Sequence, residues 1–190
     1  MYLLPMTAPK IKVLAQRLSL LGVLALAVPA HAQTPAQPPM AVEGALQAAP
    51  DPRTAMSQTF DKDTLENGKF LWKDGATEVD RLLLRLTEQL IYAYDDDRLV
   101  AVSTVSTGRA GHETRAGNFR ILAKYRRYFS KKYDNAPMPF MQQITSYGVA
   151  LHAGQLPGHP ASHGCIRLPY DFAAKLFDAT KIGTPVQITQ

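Results

Sequence analysis

Apolar and polar residues alternate, imperfectly, from Leu82 to Tyr94, with Leu84, Leu86, Leu90, Tyr92 and Tyr94 on one parity. A period of two predicts a strand with one face on a core. Asp95-Asp96-Asp97 interrupts the pattern and Leu99 to Val105 resumes it, which predicts a second strand across an acidic turn. Ser106-Thr107-Gly108 and Gly111 end that strand, and Gly117-Asn118 precedes a further apolar run, Phe119 to Ala123. Ile144 to His152 reads as another strand, ending on a histidine. Pro169 to Thr180 carries the clear helical period: Phe172, Leu176 and Ala179 recur at spacings of four and three, Pro169 suits the start, and Gly183 lies just past the end. Thr184 to Ile188 closes the chain as a strand. Several short strands and one late helix predict a mainly β domain, sandwich-like with mixed sheets, rather than a doubly wound α/β fold.

Ahead of these elements the composition changes. Lys10, Lys12 and Arg17 precede the apolar run Leu18 to Val28 and then Ala30-His31-Ala32, the order of an export signal with a small-x-small cleavage site, so residues 1–32 are read as a signal peptide cut after Ala32. The run is about half of the roughly 20 residues a membrane span needs, which predicts no stable transmembrane segment after cleavage. Residues 33–60 are read as a Pro/Ala/Gln-rich flexible linker, and 61–190 as one domain. Removing residues 1–32 takes away three bases and no acid, lowering the formal net charge from +5 to +2. A balance this mild points away from nucleic acid as a partner.

Export changes the meaning of Cys165, the chain's single cysteine. Oxidising compartments pair their thiols, so an unpaired one implies an intermolecular bridge or a thiol kept for chemistry. Its setting, Ala161-Ser162-His163-Gly164-Cys165-Ile166-Arg167, supplies a histidine, small residues and a cation, the surroundings of a nucleophile rather than of a structural thiol. His152, His159, His163 and Cys165 fall within fourteen residues. A base raises the thiolate fraction by at most about thirtyfold, about 2 kcal/mol, for an ordinary thiol. Backbone N–H groups aimed at a developing oxyanion each contribute about 10²–10³ in rate, and the His163-Gly164-Cys165 main chain, with Gly164 permitting close approach, is the expected source. Spacing leaves the choice of base open between His163 and His152.

His152, Gly154 and the Ser162-to-Arg167 block, with Ser106-Thr107-Gly108, Thr114, Gly117, Phe119 and Met138-Pro139-Phe140 upstream and Gly183-Thr184-Pro185-Val186 downstream, resemble the L,D-transpeptidase catalytic domain. The resemblance covers roughly residues 80–188 and implies a compact β-rich fold. It implies Cys165 as nucleophile, His152 as general base and acid, His163 as a positioning and oxyanion residue, and Gly164 as a backbone oxyanion site. It further implies Arg167, Ser162, Gly154 and Met138 as substrate-binding residues, no metal and no cofactor. Expected partners are peptidoglycan stem peptides as donor and acceptor, or an envelope-protein lysine as acceptor, in the periplasm. Two positions depart from the family pattern: Ala153-Gly154 follow His152 where Gly-Thr is frequent, and Arg115 follows Thr114 where Pro is frequent. With no polar side chain at Ala153, any orienting of His152 falls to a backbone carbonyl.

Rival readings have their own marks. Cys165 as a buried structural thiol, a His/Cys zinc site, a peptidoglycan hydrolase or L,D-carboxypeptidase, and a non-catalytic wall-binding module are the alternatives. His159 is expected to face solvent, and His112 shows no partner. Lys124 to Tyr133 interleaves five cations with four aromatics. This is either an ordinary solvated hairpin or, by resemblance, a lid whose cations Arg126, Arg127, Lys131 and Lys132 attract stem-peptide carboxylates.

Overall fold

The computed structural model describes residues 51–190, and its first element lies inside the span read as linker. Asp51 accepts hydrogen bonds from the Arg53 and Thr54 N–H groups, Pro52 presets the first turn, and helix α1 runs Pro52–Phe60. Met56 is fully buried and Ala55 nearly so. The linker expectation is therefore corrected over 52–60, where an Asp-Pro start signal and two apolar side chains outweigh the composition. Residues 33–50, the signal and its cleavage site lie outside the described residues.

Among the described residues, ten strands follow. β1 (Phe70–Trp72), β2 (Arg81–Arg85), β3 (Leu90–Asp95), β4 (Arg98–Thr104), β5 (Gly117–Arg120) and β10 (Pro185–Thr189) form one sheet in the order β1-β4-β3-β2-β10-β5, with β2 and β10 parallel. β6 (Ala123–Tyr125), β7 (Met141–Gln143), β8 (Ala150–Ala153) and β9 (Ile166–Leu168) form a second sheet in chain order, ending in a parallel β8–β9 pair. Helix α2 spans Tyr170–Ala179, with Pro169 at its N-cap. The mainly β, mixed-sheet class is as the sequence predicts, and the predicted helix and closing strand are where its period placed them.

Two predicted strands contain a turn instead. Leu82 to Tyr94 divides into β2 and β3 around a turn that ends at Gln89, which adopts positive φ. Ile144 to His152 is the turn after β7, with Gly148 at φ 97°, followed by the start of β8. The apparent single parity of the first run then splits: Leu82 and Leu84 face the core between the sheets, whereas Tyr92 and Tyr94 face α1. Strand β3 is buried on both sides, so its sequence loses the clean alternation of a half-exposed strand. The acidic turn is correct: Asp96 sits at positive φ between β3 and β4.

The main core joins Leu84 and Ile91 of the larger sheet to Leu151 and Ile166 of the smaller and to Phe172 and Leu176 of α2. Rings from β1 lock the helix, with Phe70 and Trp72 at 5.5 and 5.7 Å from Phe172. On the far face α1 places Met56 over Tyr92, Tyr94 and Val102. Met56→Ala removes a buried side chain with little room for collapse, so it is expected to lower stability by about 2–4 kcal/mol in urea titration. A loss under about 1 kcal/mol would mean that α1 is not docked.

Candidate active site

The parallel β8–β9 register determines which side chains meet. Leu151 pairs with Ile166 and Ala153 with Leu168, and all four point into the core; His152 pairs with Arg167, on the opposite face. Cys165 lies two residues before Arg167 and so shares that face by parity. His152 and Cys165 line one cavity of about 840 Å³, together with Met138, His163, Arg167 and Tyr170. His152 is buried, and its Nδ1 is 2.8 Å from the Ala153 carbonyl oxygen. A carbonyl only accepts, so Nδ1 carries the proton and Nε2 keeps its lone pair. The backbone thus holds the tautomer, as the apolar side chain at Ala153 requires.

A chain of hydrogen bonds holds the loop that presents Cys165. Ser106 exchanges both backbone bonds with Arg167, at 3.0 and 2.9 Å, extending the path of β4 onto the edge of β9. Thr107 O accepts from Ala161 and Ser162, and Arg109 N–H donates to Ser162 O. The Thr114 hydroxyl accepts from Gly108 N–H at 2.8 Å and donates to Gly164 O at 2.9 Å. A Cβ at Gly108 would lie 2.0 Å from the His112 carbonyl, so only glycine fits there. Gly164, at φ 110°, turns the chain ahead of β9 in a conformation that favours glycine. Arg115 is exposed while Thr114 is buried, so the departure at Arg115 leaves this anchor intact.

Two of the expected site residues hold the loop through hydrogen bonds of their own. Gly164 N–H donates to Ser162 Oγ at 3.0 Å, so it is not available to an oxyanion. Ser162 is buried at the cavity wall, and its hydroxyl also donates to the Cys165 carbonyl, so its proton and one of its lone pairs serve the loop. The His163 and Cys165 N–H groups find no acceptor among the described residues. Because a trans peptide points its C=O and N–H in opposite directions, the Thr114 bond to Gly164 O turns the Cys165 N–H away from Thr114.

The remaining expected residues fall as follows. His163 is exposed, stacked on Tyr133 at 4.6 Å and met edge-on by His112 at 4.8 Å, so His112 has a partner that spacing did not show. Gly154 makes room for the Arg167 stem: a Cβ there would lie 3.0 Å from Arg167 Cγ. Met138 packs beside Cys165. His159 is exposed and its carbonyl accepts from Ser106 Oγ. Among the described residues no three His, Cys, Asp or Glu side chains converge as a metal site would require, and no helix is long and apolar enough to cross a membrane. Of the five cations between 124 and 133, Lys124 binds the Phe177 and Thr180 carbonyls at the C-terminus of α2, where a positive charge complements the helix dipole. Arg126 pairs with Asp178.

Burial is the main influence on both central groups. It lowers the His152 pKa, with a smaller contribution from Arg167 and an opposing one from the Ala153 carbonyl, and so favours the neutral imidazole. It raises the Cys165 thiol, against lowering by the Ala150 backbone and Arg167. The pair therefore rests as thiol and neutral imidazole. His163 is lowered by desolvation and by the neighbouring basic side chains, Arg109 first among them. Thr114→Val would leave the Gly108 N–H and Gly164 C=O unpaired in a buried loop, an expected loss of about 2–4 kcal/mol by urea titration, largely restored by Thr114→Ser. Equal stability of the valine and serine variants would remove Thr114 from its anchoring role.

A profile of the L,D-transpeptidase catalytic domain (YkuD) matches residues 79–188. No curated protein matches the chain. Among solved structures, an L,D-transpeptidase from Stackebrandtia nassauensis is 26% identical, with 72% of this chain and 65% of that one aligned at a TM-score of 0.55. An L,D-transpeptidase from Mycobacterium tuberculosis is 22% identical, over 57% of each chain, at 0.55. L,D-transpeptidase 3 from the same organism, solved with a faropenem-derived adduct, is 22% identical over 57% of this chain and 59% of that one, at 0.53. The chain spans less than two thirds of the length of each of these three. With the profile covering more than half of its residues, this chain belongs to the L,D-transpeptidase catalytic domain family.

Proposed function

We propose that this protein is a peptidoglycan L,D-transpeptidase whose nucleophile is Cys165 and whose general base and acid is His152. One observation carries the reading: a histidine with its Nε2 lone pair free shares a cavity, and a strand face, with the chain's one thiol. Nε2 takes the thiol proton as Sγ attacks the carbonyl of the third residue of a tetrapeptide stem. The C–N bond to the terminal D-alanine breaks, and His152 returns the proton to the departing amine. Charge on the carbonyl oxygen is met by the Cys165 N–H, with His163 N–H as a second donor. An acceptor amine, deprotonated by His152, then attacks the thioester carbonyl; the C–S bond breaks and the departing Cys165 Sγ takes the proton back from His152. Arg167 and Lys132, both lining the cavity, suit the carboxylates of stem peptides. The signal-like order of residues 1–32 supports a periplasmic site for the reaction.

The acceptor sets the product: a second stem gives a 3-3 cross-link, an envelope-protein lysine gives attachment, and water gives a carboxypeptidase. Incubation with disaccharide-tetrapeptide muropeptides is expected to release D-alanine, and mass analysis of the products identifies the acceptor. The faropenem adduct of the M. tuberculosis relative leads to the expectation that penems and carbapenems acylate Cys165. Cys165→Ala should lose both D-alanine release and the adduct; a variant that still acylates would overturn the assignment. A wall-binding module would instead hold peptidoglycan and release nothing.

Protonated His152 cannot accept the thiol proton, and burial holds its pKa below the ordinary value. The acid limb of kcat/KM is therefore expected below pH about 6.5, with activity falling as pH drops through it. A limb at or above that pH in a pH–rate profile would count against a buried neutral base.

A further inference from the structure

Between the end of β8 and the Cys165 block the chain crosses six residues, Gln155 to Pro160, that make no backbone–backbone hydrogen bond among the described residues. All but Leu156 are exposed. The stretch is tied at its ends, by Gly154 N–H on Leu168 O and Ala161 N–H on Thr107 O, and at its near end Gly154 and Gln155 line the cavity that holds Cys165. Two side chains hold it between those ends. Ser106 Oγ donates to His159 O at 2.8 Å, and Asn67 Nδ2 donates to Leu156 O at 2.7 Å. A Cβ at Gly158 would stand 3.6 Å from the same Nδ2, so the Asn67 amide also lies against the turn at Gly158, where φ is 90°.

Asn67 comes from a part of the chain outside residues 79–188, the span that the family profile matches. It occupies a corner of the turn closed by Lys69 N–H on Glu66 O, with Gly68 at φ 81°. That turn is fastened to the last residue of β4: Gly68 N–H donates to Thr104 Oγ1 at 3.0 Å, and Thr104 N–H donates to Lys69 O at 3.2 Å. Both ties on the loop therefore lead back to one short length of chain, Thr104 to Ser106. We propose that Asn67 is a positioning residue of the active site, which pins Leu156 so that the adjoining Gly154–Gln155 wall stands ready for the stem peptide. The proposal rests on the transpeptidase reading and adds to it a residue from outside the matched domain. Gln155 keeps its backbone N–H and C=O unpaired among the described residues, and an extended peptide brings the complementary groups. The Cys165 loop has anchors of its own at Ser106, Thr107 and Thr114, so Asn67 acts on the seating of the peptide and leaves the reactivity of the thiol alone.

Seating and chemistry separate in the kinetics. Asn67 is not at positive φ, so its replacement strains no backbone. Asn67→Ala removes the donor and is expected to raise KM for a tetrapeptide stem about fivefold, with kcat within about twofold. Asn67→Gln retains an amide donor and should bring KM back to within about twofold of the original. Alkylation of Cys165 by iodoacetamide should proceed at one rate in all three proteins, while NMR order parameters of the Leu156 and Gly158 amides fall in Asn67→Ala alone. An unchanged KM in Asn67→Ala, or a slowing of kcat and of alkylation as large as the rise in KM, would overturn the proposal. If the unaltered protein turns over no tetrapeptide, the transpeptidase reading fails, and the order parameters still decide the pin: equal values in the unaltered and alanine proteins would overturn it.

Discussion

The paired backbone hydrogen bonds between Ser106 and Arg167 are the constraint on which the site depends. They carry the path of a strand from the larger sheet onto the edge of the smaller one. Without them the smaller sheet would end at β9 with an open edge, and the loop before β9 would have no wall to fold against. Gln89 braces the same seam from the other side: its amide oxygen accepts from Thr107 N–H and its amide nitrogen donates to the Thr107 hydroxyl. Three segments distant in sequence thus converge on one short length of backbone. The inter-sheet core beneath, with Leu151 and Ile166 at its upper layer, supplies the rigid floor that keeps the converging segments in register.

That rigidity bears on where rate enhancement originates. In the proposed reaction, a thiol pushed up by burial would gain little from a standing thiolate population, so proton removal would be coupled to attack and would need the base already in place. On the proposed reading the oxyanion side would be equally preset, because the bond from Thr114 to Gly164 O orients the Cys165 peptide from behind. Gly164 contributes through its shape rather than through its own N–H, which the loop has already used.

Much of this was legible in the sequence. The helix at Phe172, Leu176 and Ala179 announced itself by period, and the Cys165 block by residue type. What stayed hidden shares a physical cause. Strands β2 and β3 merged into one run because β3 is covered on both faces, so periodicity carried no mark of the turn at Gln89. Helix α1 hid in a composition typical of tethers, although Asp51-Pro52 was a readable start. The loop bonds of Ser162 and Gly164 were not legible because a hydroxyl or an N–H beside a thiol can serve either substrate or loop, and residue type alone does not separate the two. The Tyr133–His163 stack joins residues thirty apart and left no local signature.

The carbonyl of Ala153 has a consequence of another kind. A carboxylate in that place would add negative charge beside the imidazole, raise its basicity, and be lost on acidification or by a single substitution. A peptide oxygen has no titration in the physiological range and belongs to no side chain. The choice of tautomer at His152 is therefore stored in the course of strand β8 itself, where it survives both changes of pH and drift in the neighbouring residue so long as the strand keeps its path.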